Sequence, residues 1–184
     1  MTAAARIAAD LEVRAVAEVR TAGRRLEGLA AVFNVPATLP GGVVESIAPK
    51  AFAASLRGGA DILALVDHDP TRLLARTRSG TLRLTEDALG LRFELDVPDT
   101  QLGRDVLALA ERRDLGGMSF GFRVQAEDWP SRNRRILSGV ELVEVSAVAA
   151  FPAYSGTTIA ARARAPMLPP NSGAAMRRRL LQVL

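Results

Sequence analysis

The sequence has no cysteine, which excludes disulfides and every metal site built on thiolates. It has one histidine, His68, so a zinc site with several imidazole ligands is excluded as well. Aromatic residues make up only 4% of the chain, which argues against the stacking platforms that bind single-stranded nucleic acid. No apolar run approaches the roughly 18 residues of a membrane-spanning helix. Chemistry must therefore come from hydroxyls, carboxylates, arginines and one imidazole.

The chain has a modest positive charge, and almost all of its basic residues are arginines. Lys50 is the only lysine, and the net charge is +4. This excess falls short of the basic footprint typical of nucleic-acid-binding domains. The stretch GGMSFG lacks the lysine and the spacing of a phosphate-binding loop. The acidic, interrupted N-terminus makes a poor signal peptide. The sequence thus predicts neither a membrane partner nor nucleic acid as the main ligand.

Length and hydrophobic content predict one domain with room for an arm or a tail, since 48% of the 184 residues are hydrophobic. A short helix is predicted between Pro49 and Gly58, and a longer one from Gln101 to about Arg113 behind a Thr100 cap. Apolar runs predict about seven short strands. They cover 11–19, 25–33, 62–66, 79–87, 89–97, 118–129 and one or two segments of 135–151. This pattern is typical of a β-rich barrel or sandwich with outer helices.

A serine and the single histidine are the residues best suited to covalent chemistry. Ser119 lies in GGMSFGF, and His68 lies in LVDHDP. A serine hydroxyl is a weak nucleophile at neutral pH, but a neighbouring imidazole can take its proton and later return it to the leaving group. The ordinary explanations are a strand hydroxyl bonded to the backbone and a loop histidine. Spacing alone does not decide between these readings.

A third polar group is needed to hold the tautomer of the histidine ring. Asp67 and Asp69 flank the histidine, but immediate neighbours rarely bend back onto the same ring. Glu141 and Glu144, in the strand-like stretch VELVEVSAV, are better placed.

Strand geometry separates the two glutamates. On a regular strand Glu144 shares a face with Leu142 and Ser146, whereas Glu141 lies on the other face. A glutamate among so many apolar residues needs a partner if it is buried. If it is not buried, it is an ordinary solvent-facing acid.

Five motifs follow one another along the chain: LEGLAAVFN at 26–34, ESIAPKAFAASL at 45–56, LVDHDP at 65–70, GGMSFGF at 116–122 and LVEVSAVAAFPAY at 142–154. In this order they resemble the motifs of the prohead (capsid maturation) proteases of tailed bacteriophages with an HK97-like capsid. Lys50 occupies a position where that family usually has glycine. The resemblance covers roughly Arg24 to Ala161.

The resemblance implies a serine protease related in fold to the herpesvirus assembly proteases, a β-barrel of about seven strands with surrounding helices. It maps the nucleophile onto Ser119, the general base onto His68 and the acidic third member onto Glu144. It implies no cofactor and no metal.

The resemblance also implies a role in virion assembly. Such a hydrolase is a serine endopeptidase that cleaves the scaffold segment of the major capsid protein, and itself by autoprocessing. It works in the host cytoplasm, inside the immature capsid, and could do so as a homo-oligomer. The source could be a phage, a prophage or a gene-transfer agent.

Three segments are predicted: an N-terminal arm and first strand at 1–23, the protease domain at 24–163, and a linker with a basic C-terminal tail at 164–184. Two other functions stay open. One is a catalytically inactive assembly or scaffold protein with the same fold, although all three site residues are present. The other is a basic β-barrel binding module of the capsid, whose affinity would fall steeply with salt if it bound nucleic acid.

Overall fold

The computed structural model describes residues 11–16 and 19–149. The start of the predicted arm at 1–10, the end of the last motif at 150–154 and the linker and tail at 164–184 lie outside the described residues. The described part contains two helices, α1 (Ala53–Arg57) and α2 (Gln101–Glu111). Its strands are β1 Glu12–Val16, β2 Val19–Ala22, β3 Arg25–Val32, β4 Ala37–Thr38, β5 Val44–Ile47, β6 Leu63–Val66, β7 Asp69–Arg76, β8 Leu82–Glu86, β9 Gly90–Asp96, β10 Gly117–Ser131 and β11 Arg134–Val148.

Strand pairing joins these strands into two sheets. In the seven-stranded sheet the order is β1-β10-β11-β5-β4, and β6 pairs with both β11 and β7. The four-stranded sheet has the order β2-β3-β9-β8. Strands β10 and β11 form one long antiparallel hairpin, and β11 also pairs in parallel with β5 near its start and with β6 near its end. Strand β11 is therefore the centre of the larger sheet.

The predicted β-rich class with two helices is confirmed, and the predicted barrel of about seven strands is not. Within the described residues the strands form two sheets that are not closed into a barrel. The sequence pattern does not separate β2 from β1, and it misses β4, β5 and β7. Strand β4 has two residues and β5 has four, too few to show a clear alternation. Strand β7 carries Pro70, which weakens a strand prediction from sequence.

The long helix begins behind the cap that the sequence predicts. The Thr100 side chain accepts a hydrogen bond from the backbone N–H of Gly103 at 3.2 Å. Val106 and Leu107 are buried residues of this helix. The helix ends at Glu111, slightly before the predicted end at Arg113, because Arg113 has a left-handed backbone with φ of 63°.

The core side of strand β10 is aromatic. Phe52, the residue before α1, lies edge-on to Phe120 with ring centroids 5.5 Å apart, and Phe120 stacks on Phe122 at 5.2 Å. All three rings are almost fully buried. Successive side chains of a strand point to opposite faces, so the pleat directs Ser119 and Gly121 to the other face of the sheet.

Candidate active site

The single histidine lies in the two-residue turn between β6 and β7. Val66 pairs with Asp69 across this hairpin, and the two residues between them, Asp67 and His68, have φ values of 53° and 60°. Positive φ at both central residues is the pattern of a type I′ turn, which favours asparagine and glycine. A histidine here has a strained backbone, so the surrounding structure must hold it.

Strand β11 and the residue that follows it hold this turn through three hydrogen bonds. The backbone N–H of Asp67 donates to the Ala147 carbonyl at 3.0 Å, and the Ala149 N–H donates to Asp67 Oδ1 at 2.9 Å. The backbone N–H of His68 donates to Ser146 Oγ at 3.2 Å. Because β6 runs parallel to β11, its end brings the turn to this part of the sheet.

The structure brings His68 and Glu144 into direct contact. His68 Nδ1 and Glu144 Oε1 are 2.7 Å apart. A carboxylate accepts hydrogen bonds, so Nδ1 is the donor and the lone pair lies on Nε2. The His68 side chain is 28% exposed and that of Glu144 is 6% exposed. The pair therefore combines a buried carboxylate with a ring that reaches solvent.

Two neighbours of Glu144 complete this arrangement. Ser146 is fully buried, and its hydroxyl donates to Glu144 Oε2 at 2.5 Å. Gly121 pairs with Glu144 across the hairpin, and a Cβ built on Gly121 would lie only 2.4 Å from Glu144 Oε1. A glycine at this position thus leaves room for the carboxylate. Sequence reasoning did not assign either residue to the site, although each lies two positions from a predicted site residue and so shares its strand face.

Ser119 lies one strand away from this pair. It is directly opposite Ser146 on the neighbouring strand, and cross-strand partners share a face of the sheet. Its hydroxyl donates to the backbone carbonyl of Arg14 in β1 at 2.7 Å, and the residue is 1% exposed. Within the described residues, the structure shows no hydrogen bond between this hydroxyl and His68. The structure therefore brings His68 and Glu144 into contact. It places Ser119 on the neighbouring strand, with its hydroxyl bonded to the Arg14 carbonyl.

A bulge places Glu144 on the site face. Gly121 pairs with Glu144 and Phe122 pairs with Leu142, so Val143 is an extra residue in β11. Leu142 consequently faces the core with Phe122, whereas Glu144 faces the opposite side with Gly121. The sequence expectation that Leu142 and Glu144 share a face is wrong, because it assumed a regular strand.

The alternative acids have other partners. Glu141 binds the Arg123 guanidinium at 2.9 Å and its side chain is 46% exposed. Asp67 pairs with Arg72 at 2.7 Å through one carboxylate oxygen. The Asp69 carboxylate accepts hydrogen bonds from the hydroxyl and the backbone N–H of Thr71, which lower its pKa below the ordinary value. In the described part of the chain, Glu144 is the acid that contacts the histidine ring.

A second buried cluster, the ion cluster, lies on the core side of the same sheet and is defined by Glu12, Arg14, Glu45 and Arg135. Arg14 binds Glu45 with distances of 2.5 and 2.8 Å, and Arg135 binds Glu12 with distances of 2.9 and 3.0 Å. Burial alone would raise the pKa of Glu12, but the hydrogen bond from Arg135 and the charges of both arginines outweigh it and lower that pKa. The cluster anchors β1 to the rest of the sheet.

The described residues contain neither a metal-binding group of side chains nor a membrane-spanning helix. In residues 11–16 and 19–149, no group of three or more histidine, cysteine, aspartate or glutamate side chains is arranged to hold a metal ion. Over the same part of the chain, neither helix has the length and apolar character to cross a membrane.

Comparisons with known proteins agree with the motifs. The family described as Caudovirus prohead serine protease matches residues 9–168, which include His68, Ser119 and Glu144. No curated protein matches the chain in sequence. Among solved structures, the bacteriophage T4 capsid assembly protease gp21 is similar in fold, with a TM-score of 0.54 and 11% sequence identity. That similarity covers 76% of this chain and 96% of the T4 protein chain.

Proposed function

The chain belongs to the caudovirus prohead serine protease family, and we propose that Ser119, His68 and Glu144 form its catalytic triad. The observation that carries this proposal is the 2.7 Å contact between His68 Nδ1 and Glu144 Oε1. This contact holds the ring with the lone pair on Nε2. The His68 side chain is 28% exposed, so the ring reaches solvent. A nitrogen in that state is suited to take a proton from a serine hydroxyl.

The chemistry follows from these three roles. Ser119 Oγ attacks the carbonyl carbon of the scissile peptide bond, and its proton passes to His68 Nε2. Glu144 stabilises the imidazolium that results. When the C–N bond breaks, the ring returns the proton to the leaving amine. A water molecule then attacks the ester carbonyl carbon and gives a proton to His68 Nε2. The ester C–O bond breaks, and the ring returns that proton to Ser119 Oγ.

One rearrangement must precede attack. In this structure the Ser119 hydroxyl donates to the Arg14 carbonyl, so it must give up that bond before its proton can pass to His68. Catalytic hydrogen bonds are often absent or long without substrate and tighten when substrate binds. We propose that the substrate-bound state brings the Ser119 hydroxyl to His68 Nε2.

The proposed substrates are the scaffold segment of the major capsid protein and the protease itself. The description of the family as prohead serine proteases supports this proposal, because a protease inside an immature shell would meet both proteins there. We therefore propose that this chain acts inside the prohead, in the host cell. The proposed chemistry needs only water and the three side chains, so no cofactor takes part in it.

Co-expression with the major capsid protein that it is proposed to cleave tests the proposal. Ser119→Ala should assemble particles that keep full-length capsid protein and uncut protease, with cleavage reduced by on the order of 10⁴-fold or more. The variant also loses a buried hydrogen bond, so unfolding should become easier by about 1 kcal/mol. The matched control is Ser138→Ala, which removes an exposed hydroxyl from β11 and should leave cleavage unchanged.

Two further variants test the roles within the triad. His68→Ala should be about as damaging as Ser119→Ala, and the double variant should be hardly worse, because nucleophile and base act as one unit. Glu144→Gln should reduce cleavage less than either, since the glutamate orients the ring and does not itself react. A Ser119→Ala protein that still trims the scaffold, with no other protease present, would remove Ser119 from the mechanism.

A further inference from the structure

Ser146 closes a ring of hydrogen bonds around the proposed base. The backbone N–H of His68 donates to Ser146 Oγ at 3.2 Å, and the Ser146 hydroxyl donates to Glu144 Oε2 at 2.5 Å. The other carboxylate oxygen, Oε1, receives the bond from His68 Nδ1 at 2.7 Å. The path thus runs from the histidine backbone, through a hydroxyl and a carboxylate, back to the histidine ring.

The directions of these bonds define what Ser146 can do. A hydroxyl has one proton, and here that proton is committed to Glu144, while a lone pair accepts the His68 N–H. Ser146 meets His68 through the backbone and not through a ring nitrogen. With its proton donated to Glu144 and a lone pair occupied by the His68 N–H, the hydroxyl does not suit a nucleophile, which must pass its proton to the ring.

The same contacts suit a residue that positions two others. With both carboxylate oxygens bonded, Glu144 cannot rotate about its last side-chain torsion without losing a buried hydrogen bond. The His68 backbone has φ of 60°, and the bond to Ser146 is one of those that hold its turn against β11. One hydroxyl therefore orients the acid and also fixes the backbone of the base.

We propose that Ser146 is a positioning residue of the proposed triad: its hydroxyl fixes the Glu144 carboxylate and the His68 turn, so that the ring keeps Nδ1 protonated and Nε2 free. The inference rests on the proposed function. It predicts two effects when the hydroxyl is removed, a disturbed ring tautomer and slower cleavage. At metal sites, mutating a residue that hydrogen-bonds to a ligand side chain lowers metal affinity or activity by about 10- to 100-fold. We expect Ser146→Ala to reduce the rate of cleavage by a factor in that range.

The single histidine makes a direct test practical, because every imidazole signal in an ¹⁵N-labelled sample comes from His68. Ring nitrogen spectra are recorded on the Ser119→Ala protein, with and without Ser146→Ala, at a pH where the ring is neutral. The parent should show a protonated Nδ1 and an unprotonated Nε2. Ser146→Ala should give a mixture of tautomers and a weaker or broader Nδ1 proton signal.

Cleavage of the co-expressed capsid protein is measured separately, with Ser119 intact. The matched control is Ser55→Ala, since the Ser55 hydroxyl accepts a backbone N–H from Leu142 of the same strand at 2.9 Å and does not contact His68 or Glu144. Ser55→Ala should leave the ring spectrum unchanged and cleavage within about twofold. Ser146→Thr keeps a hydroxyl at this position and should retain the parental spectrum.

The outcomes separate the two proposals. An unchanged ring spectrum in Ser146→Ala overturns the positioning role, whatever happens to cleavage, as does a loss of cleavage no greater than that of Ser55→Ala. A disturbed spectrum together with slower cleavage supports it. Persistent cleavage by Ser119→Ala would contradict the proposed nucleophile instead, and the ring spectrum would still report whether Ser146 positions His68 and Glu144.

Discussion

Two buried polar clusters lie on opposite faces of the larger sheet, and they differ in whether their hydrogen bonds are complete. In the ion cluster, Arg14 and Arg135 are each bound to both Glu12 and Glu45. Every carboxylate there meets a guanidinium. In the site around His68, by contrast, Nε2 has no hydrogen-bond partner among the described residues, and the ring reaches solvent.

This difference separates a structural cluster from the proposed active site. Buried charges need partners, and a cluster whose charges are all paired can anchor strands but has no group left for chemistry. In the site, by contrast, the hydrogen bonds orient the His68 ring and leave its Nε2 available. Burial and charge alone would not distinguish the two clusters, so the unused nitrogen is the informative feature.

The largest expected effect comes from breaking the ion cluster. Arg135→Met should lower the free energy of unfolding by about 3–5 kcal/mol, because Glu12 and Glu45 lose a shared buried partner. Chemical denaturation measures this loss. Arg134→Met, at the exposed neighbouring position, is the matched control and should change stability by no more than about 0.5 kcal/mol.

Cleavage sharpens the same comparison. Arg135→Met removes no contact of the His68–Glu144 pair, so cleavage per folded molecule should persist. Equal stability of the two arginine variants would show that the ion cluster contributes little to holding the sheet together.

An intermediate effect is expected where the site is crowded instead of broken. In Gly121→Ala the new Cβ would lie 2.4 Å from Glu144 Oε1, so the carboxylate must move away from its place beside His68. Cleavage should fall by about 10- to 100-fold, as for other disturbed outer partners of a histidine. Overpacking should also cost about 1–3 kcal/mol of stability. Both values come from capsid-protein cleavage and denaturant unfolding.

Gly139→Ala is the control in the same hairpin. Its Cβ would lie 3.2 Å from the Ala126 Cβ, far from the histidine turn, so cleavage should be nearly unchanged. If Gly121→Ala cleaves as well as Gly139→Ala does, the position of the Glu144 carboxylate does not limit the reaction.

The smallest effect concerns Lys50, which belongs to neither cluster. Its φ of 69° lies in the left-handed region, which explains why glycine is usual at this place in the resembling family. Lys50→Gly relieves a strain of about 1–2 kcal/mol and adds chain entropy worth about 0.5–1 kcal/mol to the unfolded state. Thermal unfolding should therefore show a net gain of about 0.5 kcal/mol, with cleavage unchanged. Lys50→Ala keeps the Cβ and should show no gain; an equal gain would refute strain as the cause.

The sequence predicted the fold best where local patterns are long. Strand β10 and helix α2 carry clear periodicity, and Thr100 caps the helix as its side chain predicts. The sequence pattern left a barrel and a sandwich open, and it did not predict the strand order, because β4 and β5 are short and depend on pairing with remote segments. The left-handed turn of His68 was also not predicted, because the glycine that usually occupies the second position of such a turn is replaced by His68.

By itself, the sequence determined which residues could carry the chemistry. With one histidine and no cysteine, His68 was the only imidazole available, and five ordered motifs pointed to Ser119 and Glu144 as its partners. The tertiary structure decided how His68 and Glu144 meet. The extra residue Val143 turns Glu144 to the site face, and the parallel pairing of β6 with β11 brings His68 to it. The physical reason is that composition and motif order are local properties of the chain, whereas a bulge and a strand register depend on partners far away in sequence.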